Sequence, residues 1–142
     1  MQRILAALAV LGLIGPVQAK APYIGTDFSG TYDCSGNDDH EGKYTGVVTL
    51  KLVPSQSTGK YAAYSFKLDV LNFGSYLGHA AGVDKELAIH FAHTDPGSKD
   101  YGTGIATFSR GKGRSGKWGF RKYYYEPEYK GGNFGVEECV RR

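Results

Sequence analysis

Cysteine is scarce in this chain: 142 residues hold two, Cys34 and Cys139. The first lies well past the N-terminal apolar run, which excludes a lipid anchor on a cysteine at a cleavage site. Long hydrophobic runs are scarcer still. One exists, Ile4 to Ile14, of about 11 residues, short of the roughly 20 that a membrane span needs, and none follows it. After Ala19 no stretch shows a helical period. Net charge is low, +3 over the full chain, too little to argue nucleic-acid or membrane binding from the total. Patterns of catalysis are missing as well. There is no Ser-His-Asp arrangement in a strand–turn–helix setting, no Cys–His pair and no His-x-x-x-His helix, so an enzyme is left without support.

What is present begins with an export pattern. Arg3 supplies a positive start, the apolar run follows, Gly15-Pro16 breaks it, and Val17-Gln18-Ala19 fits a small-residue cleavage site. The expectation is a signal peptide over 1–19 and a single β-domain over 20–142, periplasmic or secreted. A buried N-terminal helix is the alternative. The 123 residues after Ala19 are one domain's worth and can bury a core without metals or many cross-links. In an oxidising compartment Cys34 and Cys139 are expected to form one disulfide. Closing so long a loop is worth up to about 4–5 kcal/mol in the chain-entropy model. Two free thiols or an intermolecular bond are the rival.

Glycine and aromatics are abundant: 21 glycines, with 13% Phe, Trp and Tyr. Gly interleaved with Tyr and Phe is what tightly curved sheets use. Period-two alternation recurs along the chain. Phe28, Gly30, Tyr32 and Cys34 share one face, as do Tyr44, Val48, Leu50 and Leu52. Tyr64, Phe66, Leu68 and Val70 form a third row. Tyr76–Val83 and Glu86–His93 read as a hairpin about Asp84-Lys85. Its register sets Leu87, Ile89 and Phe91 against the small Gly82, Ala80 and Gly78. Tyr101–Phe108, Lys117–Tyr125 and Asn133–Val140 complete eight strands. An all-β, eight-stranded antiparallel up-and-down meander hides its two edges by closing into a barrel. First and last strands are then neighbours, which places Cys34 beside Cys139. A β-sandwich is the alternative architecture.

The segment Phe28-Ser-Gly30-Thr-Tyr32 resembles the Gly-x-aromatic opening strand of the calycin folds, the lipocalins and avidins. Gly42-Lys-Tyr-Thr-Gly46 and Gly59-Lys-Tyr61 are similar to the avidin manner of starting strands. Family members usually carry Trp where Tyr32 stands, and avidin's biotin contacts have no position-by-position counterparts here. The resemblance implies a barrel that often binds something; it does not imply biotin.

Several residues are candidates for chemistry. His79 faces His90 across the hairpin on the outer side, but further zinc ligands are not evident, so no metal is expected. His93 falls on the inward face near a strand end, opposite Tyr76, where a ligand-orienting group would sit. Ser35-Gly-Asn-Asp-Asp-His-Glu41-Gly crowds oxygen ligands but lacks the calcium-loop spacing and reads as a polar hairpin loop. Arg110 to Lys122 holds six bases and no acid, with Trp118 interleaved. Its Gly111-to-Lys117 piece is followed by a strand, not the helix a phosphate loop needs. What survives is a basic patch of Arg110, Lys112, Arg114, Lys117, Trp118, Arg121 and Lys122. In Tyr123-Tyr-Tyr125, alternation sends Tyr123 and Tyr125 to one face and Tyr124 to the other.

Two functions are expected from these features. The first is a non-enzymatic, cofactor-free binding barrel of a bacterial cell envelope, taking a small molecule at its mouth through Tyr44, Tyr64, Tyr76 and His93. The second is an envelope protein-binding inhibitor or immunity-type protein that uses the basic aromatic hairpin 110–125.

Overall fold

The computed structural model describes residues 19–111 and 116–142. Residues 1–18 of the signal peptide expected over 1–19, together with Lys112 and Arg114, lie outside the described residues.

Eight strands follow in chain order: β1 Gly30–Asp38, β2 Gly42–Leu52, β3 Tyr61–Val70, β4 Gly74–Val83, β5 Glu86–His93, β6 Tyr101–Arg110, β7 Trp118–Glu126 and β8 Asn133–Arg141. Each pairs antiparallel with the next, and β1 pairs with β8 to close a barrel. The meander expected from the alternation is therefore the architecture, and a sandwich is not. The alternation itself drives closure. Along β5, Leu87, Ile89 and Phe91 are buried while Glu86 and Ala88 face out. Each strand thus offers one apolar row, and joining the rows around a cylinder buries all of them at once.

The β4–β5 register has His79 opposite His90 and Gly78 opposite Phe91. The need for glycine at position 78 is steric, since a Cβ there would lie 1.8 Å from the His90 carbonyl oxygen. Cys34 and Cys139 face one another across the β1–β8 seam and are bonded, with Cα atoms 4.1 Å apart.

The start of the barrel differs from the sequence reading. Phe28 precedes β1 and caps the barrel end, while Ser35–Asp38, expected in a loop, continues the strand. The reason is two-sided pairing: Asp38 sits opposite Gly42 on β2 and Gly135 on β8. The turn shrinks to Asp39–Glu41, and the Asp38 carboxylate accepts the His40 and Glu41 N–H groups at 2.9 Å each.

Antiparallel order gives the barrel two distinct ends. At the end where β1, β3, β5 and β7 begin, the segment preceding β1 crosses the opening. It is tied to the β2–β3 connection by Ile24 N–H donating to Gly59 O (2.9 Å) and Gly59 N–H donating to Pro22 O (3.1 Å). Phe28 then drops in as a plug, stacked on Phe108 with ring centroids 4.1 Å apart and edge-on to Trp118 at 5.2 Å. The end where β2, β4, β6 and β8 begin is built from different material.

Candidate functional site

At this second end the inward positions turn polar. Asp38 closes β1, Tyr44 opens β2, Tyr76 opens β4, and Lys122, Tyr124 and Glu126 occupy alternate positions of β7. Asn133 and Glu137 come from β8, and Asp100 immediately precedes β6. With Leu68, Val70, Phe73 and Phe91 these side chains line a cavity of about 50 Å³. Glycine makes the polar end possible: a Cβ at Gly135 would lie 2.2 Å from the Tyr124 hydroxyl, so the ring packs on bare backbone.

The groups form a connected network. Tyr124 Oη donates to Asp38 Oδ2 at 2.7 Å, and Asn133 Nδ2 donates to the same oxygen at 2.8 Å and also to Glu126 Oε2. Tyr76 Oη donates to Asp100 Oδ2 at 2.7 Å. Deeper in, Lys122 Nζ lies 2.7 Å from Glu137 Oε2, both side chains almost wholly buried. That contact is an ion pair without hydrogen-bond alignment, because the same oxygen has no hydrogen-bond donor. Tyr44 Oη donates to the other oxygen, Glu137 Oε1, at 2.6 Å. The Lys122 ammonium also sits 5.3, 5.0 and 5.2 Å from the ring centres of Phe66, Phe91 and Tyr124. Removing such charges from water is costly, and the rings and Glu137 together offset that cost.

The carboxyls of this network are driven apart in acidity. Burial works to raise Asp38, but hydrogen bonds from the Glu41 N–H, Tyr124, Asn133 and the His40 N–H outweigh it and hold the group below its ordinary value. Glu126 is pushed up to about 8 by burial, by the Asp100 and Asp38 charges and by a hydrogen bond of its proton to Asp100, against one bond from Asn133. Asp38 is therefore an anion at neutral pH while Glu126 holds a proton. The hydroxyls of Tyr44, Tyr76 and Tyr124 are all raised, burial first, so they remain donors.

Among the described residues, three buried side-chain oxygens accept no hydrogen bond: Asp100 Oδ1, Asn133 Oδ1 and Glu137 Oε2. Glu137 Oε2 has its ion pair; the other two have neither. All three residues line the cavity. Glu137 also stands beside Cys34 and Cys139, with ligand atoms within 4.8 Å of one another, but the sulfurs are bonded to each other and offer no thiolate.

Of the residues singled out in the sequence, Tyr44 and Tyr76 line this cavity. His93 lies beside it at the rim, edge-on to Tyr76 at 5.1 Å. Its ring joins two connections: Nδ1 accepts from Asp95 N–H at 3.0 Å, which leaves Nε2 to donate to Phe73 O at 3.1 Å. Tyr64 is at the opposite, plugged end, where it accepts from Phe28 N–H at 3.1 Å. One mouth therefore does not gather all four.

The basic patch is divided. Lys122 points into the barrel, not out of it, because it shares the inward parity of Phe120 and Tyr124 and has a buried carboxylate to meet. Arg121, one position away, is on the outer wall, 3.0 Å from Glu138. Arg110 lies over the Trp118 ring at 4.9 Å, and Lys117 is exposed. Tyr123 and Tyr125 face solvent and Tyr124 the interior. His79 and His90 sit outside with ring centres 5.4 Å apart.

Asp100, Glu126, Asn133 and Glu137 are not singled out by the sequence, and Asp38 is singled out only as part of a polar hairpin loop. Parity held the signal: Glu126 continues the Phe120–Tyr124 row, and Glu137 precedes the buried Cys139 by two.

Comparison of the chain with models of protein families, with curated proteins and with solved structures gave no match. Among the described residues no helix is long and apolar enough to cross a membrane. What the polar end offers is recognition chemistry: convergent buried hydrogen-bonding groups around a small cavity with an apolar border.

Proposed function

We propose that this is an exported binding barrel of a bacterial cell envelope that takes a small ligand at the polar end, in the manner of the calycin folds it resembles. The observation that carries the reading is the pair of buried oxygens, Asp100 Oδ1 and Asn133 Oδ1, left without a donor at the cavity. Orphaned buried acceptors are costly in a folded protein, and a bound partner that supplies donors relieves the cost. Support also comes from the opposite end, where Phe28 fills the opening and leaves nothing to bind. The cavity is far below the 300–1,000 Å³ typical of sites that engulf a whole ligand. The barrel therefore takes a headgroup and leaves the rest of the ligand at the rim, near Val70 and Phe73. Export is supported by the leader pattern and by the need of the Cys34–Cys139 bond for an oxidising compartment.

The test is native mass spectrometry of the protein purified, without unfolding, from its own envelope. The expected result is a chain beginning at Lys20 that carries a small-molecule mass excess, lost in Asp100→Ala. A chain that keeps its leader in the cytosol overturns the export reading. Bare protein, in which no small molecule shifts the amide signals of Asp100 or Asn133, overturns the binding reading.

A second reading, docking onto an envelope protein as an inhibitor or immunity-type factor, draws on the outer wall of β6–β8. There Ile105 lies opposite Tyr123 and Tyr125 opposite Phe134, each about half exposed. Exposed aromatics of this kind are interface material. The double change Tyr123→Glu, Phe134→Glu is expected to abolish capture of the partner while cavity binding persists; undiminished capture would sink this reading.

A further inference from the structure

We propose that the polar-end cavity is a headgroup site for a primary ammonium ligand, whose NH₃⁺ enters among Asp100, Glu126 and Asn133 while its carbon chain lies at the rim against Val70 and Phe73. The inference rests on the binding-barrel reading and gives it a ligand class.

The first argument is donor arithmetic. Asn133 spends both amide hydrogens, one on Asp38 and one on Glu126. With two acids on that side the amide cannot turn round, so its carbonyl oxygen is fixed as a buried acceptor without a donor. Asp100 uses one oxygen for the Tyr76 hydroxyl and leaves the other bare. Asn133 is 1% exposed and Asp100 8%, so solvent does little for either. In the empty site the proton on Glu126 is one donor facing several acceptors. An ammonium brings three donors in a tetrahedral spread.

The second argument is charge. Lys122 is committed to Glu137, and the Lys130 ammonium to Glu41. Asp38 is saturated by two backbone and two side-chain donors. Asp100 and Glu126 remain and, among the described residues, neither has a cation in a salt bridge with it. An anionic ligand meets the Asp100 charge with no cation to offset it, and a neutral one leaves that charge unmatched.

The third is size and geometry. A cavity of about 50 Å³ is far too small to engulf a whole ligand and has room for a headgroup of the size of NH₃⁺. Calcium needs six to eight oxygens at 2.3–2.6 Å. Among the described residues, the carboxylates of Asp38, Asp100 and Glu126 are not gathered within reach of one ion; the set that is consists of Cys34, Cys139 and Glu137.

The exchange has a proton balance. Bound ammonium takes the place of the Glu126 proton, which leaves to solvent as the carboxylate forms. Sharing the cavity with Glu126 are Asp38 of β1, Glu41 of the turn after it, Tyr44 of β2, Tyr76 of β4, Asp100 before β6, Tyr129 after β7 and Asn133 and Glu137 of β8. Lys122 and Tyr124 lie on its own strand. Of these, Asp100 and Asp38 oppose loss of the proton and Asn133 favours it.

The experiment titrates the oxidised protein, residues 20–142, with n-butylammonium chloride, 1-butanol and sodium butyrate at pH 7. Amide shifts locate the binding, and calorimetry in two buffers of different ionisation enthalpy counts protons. The expected result is butylammonium bound about tenfold or more tighter than butanol, as charge-assisted bonds require. Shifts should centre on Asp100, Glu126 and Asn133, and close to one proton should be released. Asp100→Asn, with its fold checked by its melting curve, should remove the preference for butylammonium over butanol. Butanol or butyrate bound at the same amides as tightly as butylammonium overturns the ammonium assignment and keeps the binding barrel. Butylammonium bound elsewhere, or no probe shifting those amides, overturns both. The ranking of probes on the unaltered protein decides the matter even if the variant does not fold.

Discussion

The two ends of this barrel solve the same problem with opposite chemistry. At the plugged end Phe28 stacks on Phe108, Phe108 lies 4.9 Å from Phe120, and Tyr32 donates its hydroxyl to Phe28 O at 2.7 Å. Every polar atom named there has its partner within the plug itself. At the polar end the same inward rows carry Lys122, Glu137, Glu126 and Asn133, and acceptors are left over. A sequence selected only to fold would repeat the first solution at both ends, since packed rings stabilise more securely than buried charges. The polar end is thus the place where the protein departs from its own best packing, which is why function is sought there.

The largest break in that contrast comes from removing one half of the buried ion pair. Lys122→Met leaves the Glu137 charge inside the barrel and is expected to cost about 3–5 kcal/mol, read from urea unfolding. Adding Glu137→Leu should restore most of it; no recovery would mean that the pair matters by shape and not by charge. Next is the plug. Phe28→Ala removes a buried ring from Phe108 and Trp118 and should cost about 3 kcal/mol, while butylammonium binding at the far end is unchanged. A loss of that binding would show that the ends are coupled.

A smaller step compares two buried tyrosines. Tyr76 donates to the carboxylate of Asp100 at 2.7 Å, whereas Tyr32 at the plugged end donates to the Phe28 carbonyl at 2.7 Å. Tyr76→Phe should cost about 2 kcal/mol and Tyr32→Phe about 1, because bonds to charged groups are the stronger. Equal costs would erase the distinction between the ends at the level of single hydrogen bonds.

How far the sequence carried the argument follows the same division. Leu87, Ile89 and Phe91 against Gly82, Ala80 and Gly78 specify a register, since a slip of one residue turns every large side chain outward. The two cysteines, on strands that must meet if a meander closes, specify the seam. Both are local or end-to-end signals that survive without coordinates. Lys122 is the opposite case. It stands next to Arg121 in a run of bases, where polarity says surface and only parity says interior. Its partner Glu137 becomes visible only once β7 and β8 are paired, when Lys122–Glu137 falls inside and Arg121–Glu138, one rung away, falls outside. Asp38 was hidden for a similar reason: Ser35 to Gly42 has the composition of a turn, and its strand character comes from neighbours on both sides. Asp100 and Asn133 sit at strand starts, where alternation has too few residues to read.

The last expected effect is the most diagnostic of the polar end, and it is a slope. Glu126 is raised from its ordinary value to about 8 by burial and by neighbouring carboxylates. The folded state therefore holds a proton that the unfolded chain has already released. Stabilisation from that proton is full below about pH 4.5 and is lost as pH rises to about 8. Asp38, lowered in the folded state, acts in the other sense, and its contribution is lost only as pH falls below the ordinary carboxylate range. The two windows do not overlap. Within the Glu126 window one proton gives at most about 1.4 kcal/mol per pH unit, and solvent access at the mouth narrows that window. Glu126→Gln keeps an oxygen for the Asn133 amide and cannot titrate, so its stability should be flatter across pH 5 to 8 than that of the unaltered protein. The check is a series of urea midpoints on both proteins over that range. Parallel curves would mean that Glu126 ionises freely, and the polar end would then hold a proton no more tightly than the surface does. Ammonium saturation of the unaltered protein should flatten its curve in the same way, since the ligand and the proton occupy the same acceptors.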